Sequence, residues 1–132
     1  MTKPDIVFED NYLCVVNKPA GMLVQPDRSG DLSLIEIVSK NYPGKTAGLV
    51  HRIDRPTMGL VVFALNESVL SLLNRDFSQN AVLKEYLAIT DKRPEADEKV
   101  FCDYISFHKN TNKSQVHKEY RKNSKKALME VK

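Results

Sequence analysis

Six consecutive apolar residues, Leu60-Val61-Val62-Phe63-Ala64-Leu65, constrain this chain more than any other feature. The run is too short for a typical helix and rich in β-formers, so it reads as a central strand buried on both faces. It follows directly on a polar stretch, His51-Arg52-Ile53-Asp54-Arg55-Pro56-Thr57-Met58-Gly59, which is itself preceded by Gly48-Leu49-Val50. A charged loop is therefore pinned between apolar strands.

The rest of the pattern supplies neighbours for that strand. Ile6-Val7-Phe8 and Leu13-Cys14-Val15-Val16 form a hairpin around the turn-favouring Glu9-Asp10-Asn11-Tyr12, and Lys18-Pro19-Ala20-Gly21 ends it. Leu34, Ile35 and Val38 have helical spacing, with Asp31 expected as N-cap and Pro43-Gly44 as the stop. Asn66 caps a second helix whose apolar positions Val69, Leu70, Leu72 and Leu73 lead on to Phe77. Strands are expected over 84–90 and 100–107, joined by a polar loop over 91–99, and from His108 on only Val116 and Ala127-Leu128-Met129 are available to pack. This order predicts an α+β fold, with a mixed, largely antiparallel sheet and helices packed on it, in one domain over residues 1–132.

At 132 residues, 42% hydrophobic and 28% charged, the chain has the balance of a soluble globular domain with one modest core. No stretch approaches the roughly 18 apolar residues of a membrane span, and no leader pattern is present, so a cytoplasmic protein with no membrane contact is expected. Cys14 and Cys102 lie in apolar runs and form no CxxC pair, which predicts two buried thiols. The net charge of +3 is uneven. Residues 1–107 carry 12 Lys and Arg against 15 Asp and Glu, while residues 108–132 carry 8 against 2. A basic end of this kind suits phosphates or a solvated face.

The polar loop carries the chemistry. Arg52 and Arg55 flank Asp54, and positive neighbours favour the carboxylate form that a nucleophilic acid needs. The competing reading is an Asp–Arg ion pair that holds the loop. A protein-kinase loop is excluded, because Ile53 splits the His-Arg-Asp triplet and the kinase's other parts are missing. A metal centre lacks ligands, since His108 and His117 lie far along the chain from His51.

The block from His51 to Asn66 resembles the signature of the RluA family of pseudouridine synthases, H-R-L-D-x-x-T-S-G-L-L-x-x-A-K. Asn17-Lys18-Pro19-Ala20-Gly21-Met22, the helix after Asn66 and Lys84-Glu85-Tyr86-Leu87-Ala88 follow in that family's order, and the likeness covers about residues 5–107. It implies an isomerase that converts uridine to pseudouridine in ribosomal or transfer RNA, with RNA as partner and neither metal nor nucleotide cofactor. Asp54 falls on the family nucleophile, which attacks ribose C1′ or uracil C6. Arg52 falls on the arginine that fills the place of the flipped uridine, a role suited to a planar cation. Tyr86 falls on the tyrosine that stacks on the uracil. His51, Thr57 and Gly59 are read as loop supports. Lys18 with Pro19 is read as shaping the sheet edge beside the site, its charge meeting either a phosphate or solvent.

Two departures stand out. Met58 replaces a small serine, which predicts altered packing, and the family's later G-R-x-H-Q-I-R motif does not occur, although Ala127-Leu128-Met129-Glu130-Val131 resembles the strand that precedes it. The expectation is a fold incomplete at its C-terminus, without an S4-type domain, weak or inactive by itself. The alternative function is a catalytically inactive RNA-binding remnant.

Overall fold

A computed structural model describes residues 3–93, 99–108, 111 and 113–132 of the chain. Two units are present, residues 1–85 and 86–132. The first contains β1 (Ile6–Glu9), β2 (Leu13–Lys18), α1 (Leu34–Asn41), β3 (Gly48–Leu49), β4 (Gly59–Ala64) and α2 (Glu67–Ser78). The second contains β5 (Lys99–His108), β6 (Lys113–His117) and β7 (Ser124–Val131).

In the first unit the strand order is β1-β2-β4-β3, and every pairing is antiparallel. β2 and β4 run in full register from Leu13 opposite Ala64 to Lys18 opposite Gly59. Opposite residues share a face, so Cys14, Val16, Val61 and Phe63 form one apolar layer, closed by Val24, Leu34 and Val38. The α+β class with antiparallel sheet and packed helices thus stands, as two sheets rather than one.

Several local expectations are corrected. β4 is not buried on both faces: Val61, Phe63 and Ala64 are buried, but Leu60 is 56% exposed, because α2 covers only part of the second face. The N-cap of α1 is Ser33, not Asp31. Glu36 accepts from both the Ser33 N–H (2.9 Å) and Oγ (2.6 Å), and the Leu23 and Val24 carbonyls take the N–H groups of Leu34 and Ile35. Asp31 is engaged elsewhere. Cys14 is buried as expected, whereas Cys102 is exposed. It shares a face of β5–β7 with Leu128, which is itself 65% exposed.

Asn66 does cap α2, accepting the Val69 N–H at 2.9 Å. The strand expected over 84–90 is absent. Leu83, Leu87 and Ile89 are almost fully exposed, and these residues make no ladder with any described strand. A β-rich composition forms a strand only where a neighbour takes its main-chain groups. The expected loop over 91–99 lies partly outside the described residues. The strands expected at 100–107 and near 127–131 are present as β5 and β7, antiparallel partners in the order β6-β5-β7. Among the described residues, no helix is long and apolar enough to cross a membrane.

Candidate active site

The loop between β3 and β4 is built from its two ends inward. Where β3 stops, His51 continues its work: the ring Nε2 accepts the Val62 N–H of β4 at 3.1 Å. The same ring stacks on Phe77 of α2, with centroids 4.7 Å apart and planes 15° from parallel. Burial pushes the imidazole below its usual pKa, and the positive charge of Lys84 adds to this, so the neutral ring that can accept is favoured. Asp54 and Thr57 close a turn through a 3.0 Å bond from the Thr57 N–H to the Asp54 carbonyl. Gly59, at φ 129°, then turns the chain into β4 with a backbone that other residues rarely adopt.

The middle of the loop is tied at Arg55. Its carbonyl accepts the Gly21 N–H at 2.8 Å and the Lys18 ammonium at 3.1 Å. Its guanidinium donates to the Gly21 carbonyl at 2.9 Å and to the Asp31 carboxylate at 2.6 Å. Four hydrogen bonds thus fasten the residue that follows Asp54. Arg55 was expected to flank and charge-balance Asp54; its side chain goes to Asp31 instead.

Lys18 was expected to shape the sheet edge beside the site with its charge at a phosphate or in solvent, and the burial of that charge is what the sequence reading missed. Lys18 is fully buried, third in the inward row after Cys14 and Val16. The Nζ donates to the carbonyls of Pro19 (3.0 Å), Met22 (2.9 Å) and Arg55 (3.1 Å), using all three of its protons. Burial lowers its pKa, while these three acceptors favour the charged form. It is therefore not a solvated lysine, and no proton is left over for a phosphate. The alternation along β2 was the available signal, since a two-residue period that buries 14 and 16 also buries 18.

Ile53 packs against the core cluster, while its neighbours Arg52 and Asp54 are exposed. Among the described residues neither side chain has a hydrogen bond or ion pair, so the Asp–Arg pair does not form. Met58 is 66% exposed and crowds nothing. The structure therefore gathers His51, Arg52, Asp54, Thr57 and Gly59 on one braced loop. Tyr86 opens the second unit, in the segment after α2 that forms neither helix nor strand, and is 65% exposed. No three or more His, Cys, Asp or Glu side chains gather to hold a metal ion among the described residues.

Fold and loop together define a surface site: a carboxylate and, two residues before it, a guanidinium, both unpaired among the described residues, on a backbone fixed at the residue after the acid. Such a site suits a large ligand that reaches the acid from solvent. The chain belongs to the RNA pseudouridylate synthase family, in its RluA branch, and the family profile matches residues 12–132. It is 40% identical over 88 residues to the tRNA pseudouridine synthase C of Haemophilus ducreyi, covering 64% of this chain and 36% of that protein. It is 38% identical over 99 residues to the ribosomal large subunit pseudouridine synthase D of Zymomonas mobilis, covering 68% and 31%. Human RNA pseudouridylate synthase domain containing 4 superposes with a TM-score of 0.71 at 25% identity, over 93% of this chain and 51% of that one. Human RNA pseudouridylate synthase domain containing 1 gives 0.77 over 97% and 51%, and at 22% identity shows the fold alone. The chain spans about a third of the length of these curated relatives and half that of the solved chains.

Proposed function

We propose that this chain isomerises uridine to pseudouridine in RNA, with Asp54 as nucleophile. The observation that carries the reading is the setting of Asp54: exposed, unpaired among the described residues, and adjacent to a residue held by four hydrogen bonds. A carboxylate so placed is available to carbon and loses little freedom on attack.

In the reaction the N1–C1′ glycosidic bond breaks, the uracil turns, and a C5–C1′ bond forms. The C5 hydrogen leaves to water, and N1 ends with a proton. Asp54 attacks ribose C1′ or uracil C6. Arg52, planar and without a partner among the described residues, enters the space vacated by the flipped uridine, and Tyr86 stacks on the uracil. His51, Thr57 and Gly59 hold the loop. The names of the relatives point to transfer RNA and to the ribosomal large subunit, and we take the substrate to be RNA of one of these kinds. The work is then cytoplasmic, with no cofactor in the bond changes.

RNA carrying tritium at uridine C5 gives the test, with the full chain in excess so that a slow single turnover is measurable. Tritium should be released to water, and Asp54→Asn should cut the rate on the order of a thousandfold or more while leaving RNA affinity unchanged. Release at the wild-type rate by Asp54→Asn would remove the assignment.

A further inference from the structure

The strongest electrostatic feature of the chain lies in the second unit. Lys118, Arg121, Lys122, Lys125 and Lys126 fall within one short stretch around the β6–β7 connection, where Glu119 is the only acid. Among the described residues only Lys118 has an anionic partner, Asp103 at 2.7 Å. The side chains of Arg121, Lys122, Lys125 and Lys126 have neither ion pair nor hydrogen bond there.

This connection is an ordered turn rather than a loose solvated tip. Ser124 locks it: the Arg121 N–H donates to Ser124 Oγ at 2.9 Å, and Ser124 Oγ donates to the Arg121 carbonyl at 2.6 Å. The Ser124 N–H reaches the same carbonyl at 2.9 Å, and Asn123 takes a left-handed φ of 67°. Tyr120 meets Tyr104 of β5 edge-on, with centroids 5.9 Å apart at 83°, yet remains 67% exposed.

Register then divides the cations. His117 and Lys126 both pair with Tyr104, so these three share one face of the sheet, where Tyr120 also docks. A surface depression lined by His117, Lys118, Glu119 and Arg121 adjoins them. Lys125 pairs with Ile105, which puts it on the opposite face with Val116. Cations without an anionic partner among the described residues, carried on an ordered turn beside an exposed aromatic ring, match a polyanion that also carries flat bases. Apart from Tyr120, the turn offers no large apolar side chain to enter a bilayer.

We propose that the β6–β7 turn, together with the Tyr104 face beside it, is a second RNA contact, in which Arg121, Lys122 and Lys126 meet phosphates and Tyr120 receives a base. The proposal rests on the reading of the chain as an RNA synthase, and adds to it a contact in the unit that does not carry Asp54.

Fluorescence anisotropy with a labelled RNA stem-loop containing loop uridines, titrated over a salt series with the full chain, tests it. The combined Arg121→Gln, Lys122→Gln and Lys126→Gln variant should flatten the slope of log affinity against log salt by roughly 2, since each phosphate contact contributes about 0.7–0.9. At low salt its affinity should fall about tenfold or more, whereas Lys125→Gln alone should lose less than about twofold. An unchanged slope, or a loss from Lys125→Gln equal to that from Lys126→Gln alone, overturns the proposal. Displacement of the RNA by polyglutamate at equal charge concentration would reassign the turn to acidic peptides. Failure of the two readings is separable: RNA binding through the turn without tritium release sinks the synthase reading alone, and full RNA affinity in the triple variant sinks the turn alone.

Discussion

The ammonium of Lys18 lies 3.1 Å from the main-chain carbonyl of Arg55, so the charge buried at the end of β2 holds the residue next to Asp54. A lysine on the inward face of a strand would ordinarily destabilise the sheet. Here its three protons satisfy three carbonyls, and two of these belong to the turn that follows β2. One side chain therefore joins that turn to the acid-bearing loop.

Lys18→Met keeps most of the volume but leaves the Pro19, Met22 and Arg55 carbonyls without this donor. The loss should be roughly 2–3 kcal/mol of stability, read from urea unfolding. Amide exchange at Gly21 and Thr57, on either side of the anchor, should accelerate as well. A variant as stable as the wild type, with unchanged exchange, would show that the ammonium holds nothing.

The side-chain half of the anchor should matter less than the main-chain half. Arg55 and Asp31 are about half exposed, and exposed ion pairs contribute about 0–1 kcal/mol. Arg55→Ala removes that pair and the bond to the Gly21 carbonyl, but retains the main-chain bonds of residue 55. Its destabilisation should stay near 1 kcal/mol, and the coupling to Asp31→Ala in a double-mutant cycle should shrink at high salt. A loss from Arg55→Ala larger than that from Lys18→Met would reverse this ranking.

His51 makes the first unit sensitive to pH. Its folded pKa lies below the ordinary value of 6.5, first through burial and then through Lys84. A group that protonates more readily unfolded than folded contributes stability that is complete above about pH 6.5 and declines as the pH falls towards the folded pKa. Protonation also removes the acceptor of the Val62 N–H. Thermal midpoints should drop between about pH 7 and pH 5, and the drop should be smaller in His51→Gln. Asp10, Asp27 and Glu36, whose folded pKa values are lowered by hydrogen bonds, lose their contributions only below about pH 4.5, which keeps the two effects apart.

By itself the sequence determined the elements whose information is local. The apolar run of β4, the Asn66 cap of α2 and the hairpin of β1 and β2 are each written in consecutive residues, and so is the block from His51 to Gly59 that carries the family likeness. Tertiary structure decided which polar groups meet across distance in the chain. Nothing around residue 55 indicates that its guanidinium goes to Asp31 rather than to the adjacent Asp54, because that choice depends on how the turn before α1 folds back beside the loop. The burial of Lys18 was half legible, as a two-residue period gives the direction of a side chain but not the carbonyls that make its charge tolerable. The missing ladder at 84–90 has the same cause, since a strand is completed by a partner and composition names none. That Lys126 rather than Lys125 shares a face with Tyr104 likewise came from the register of β5 and β7, which only the paired strands define.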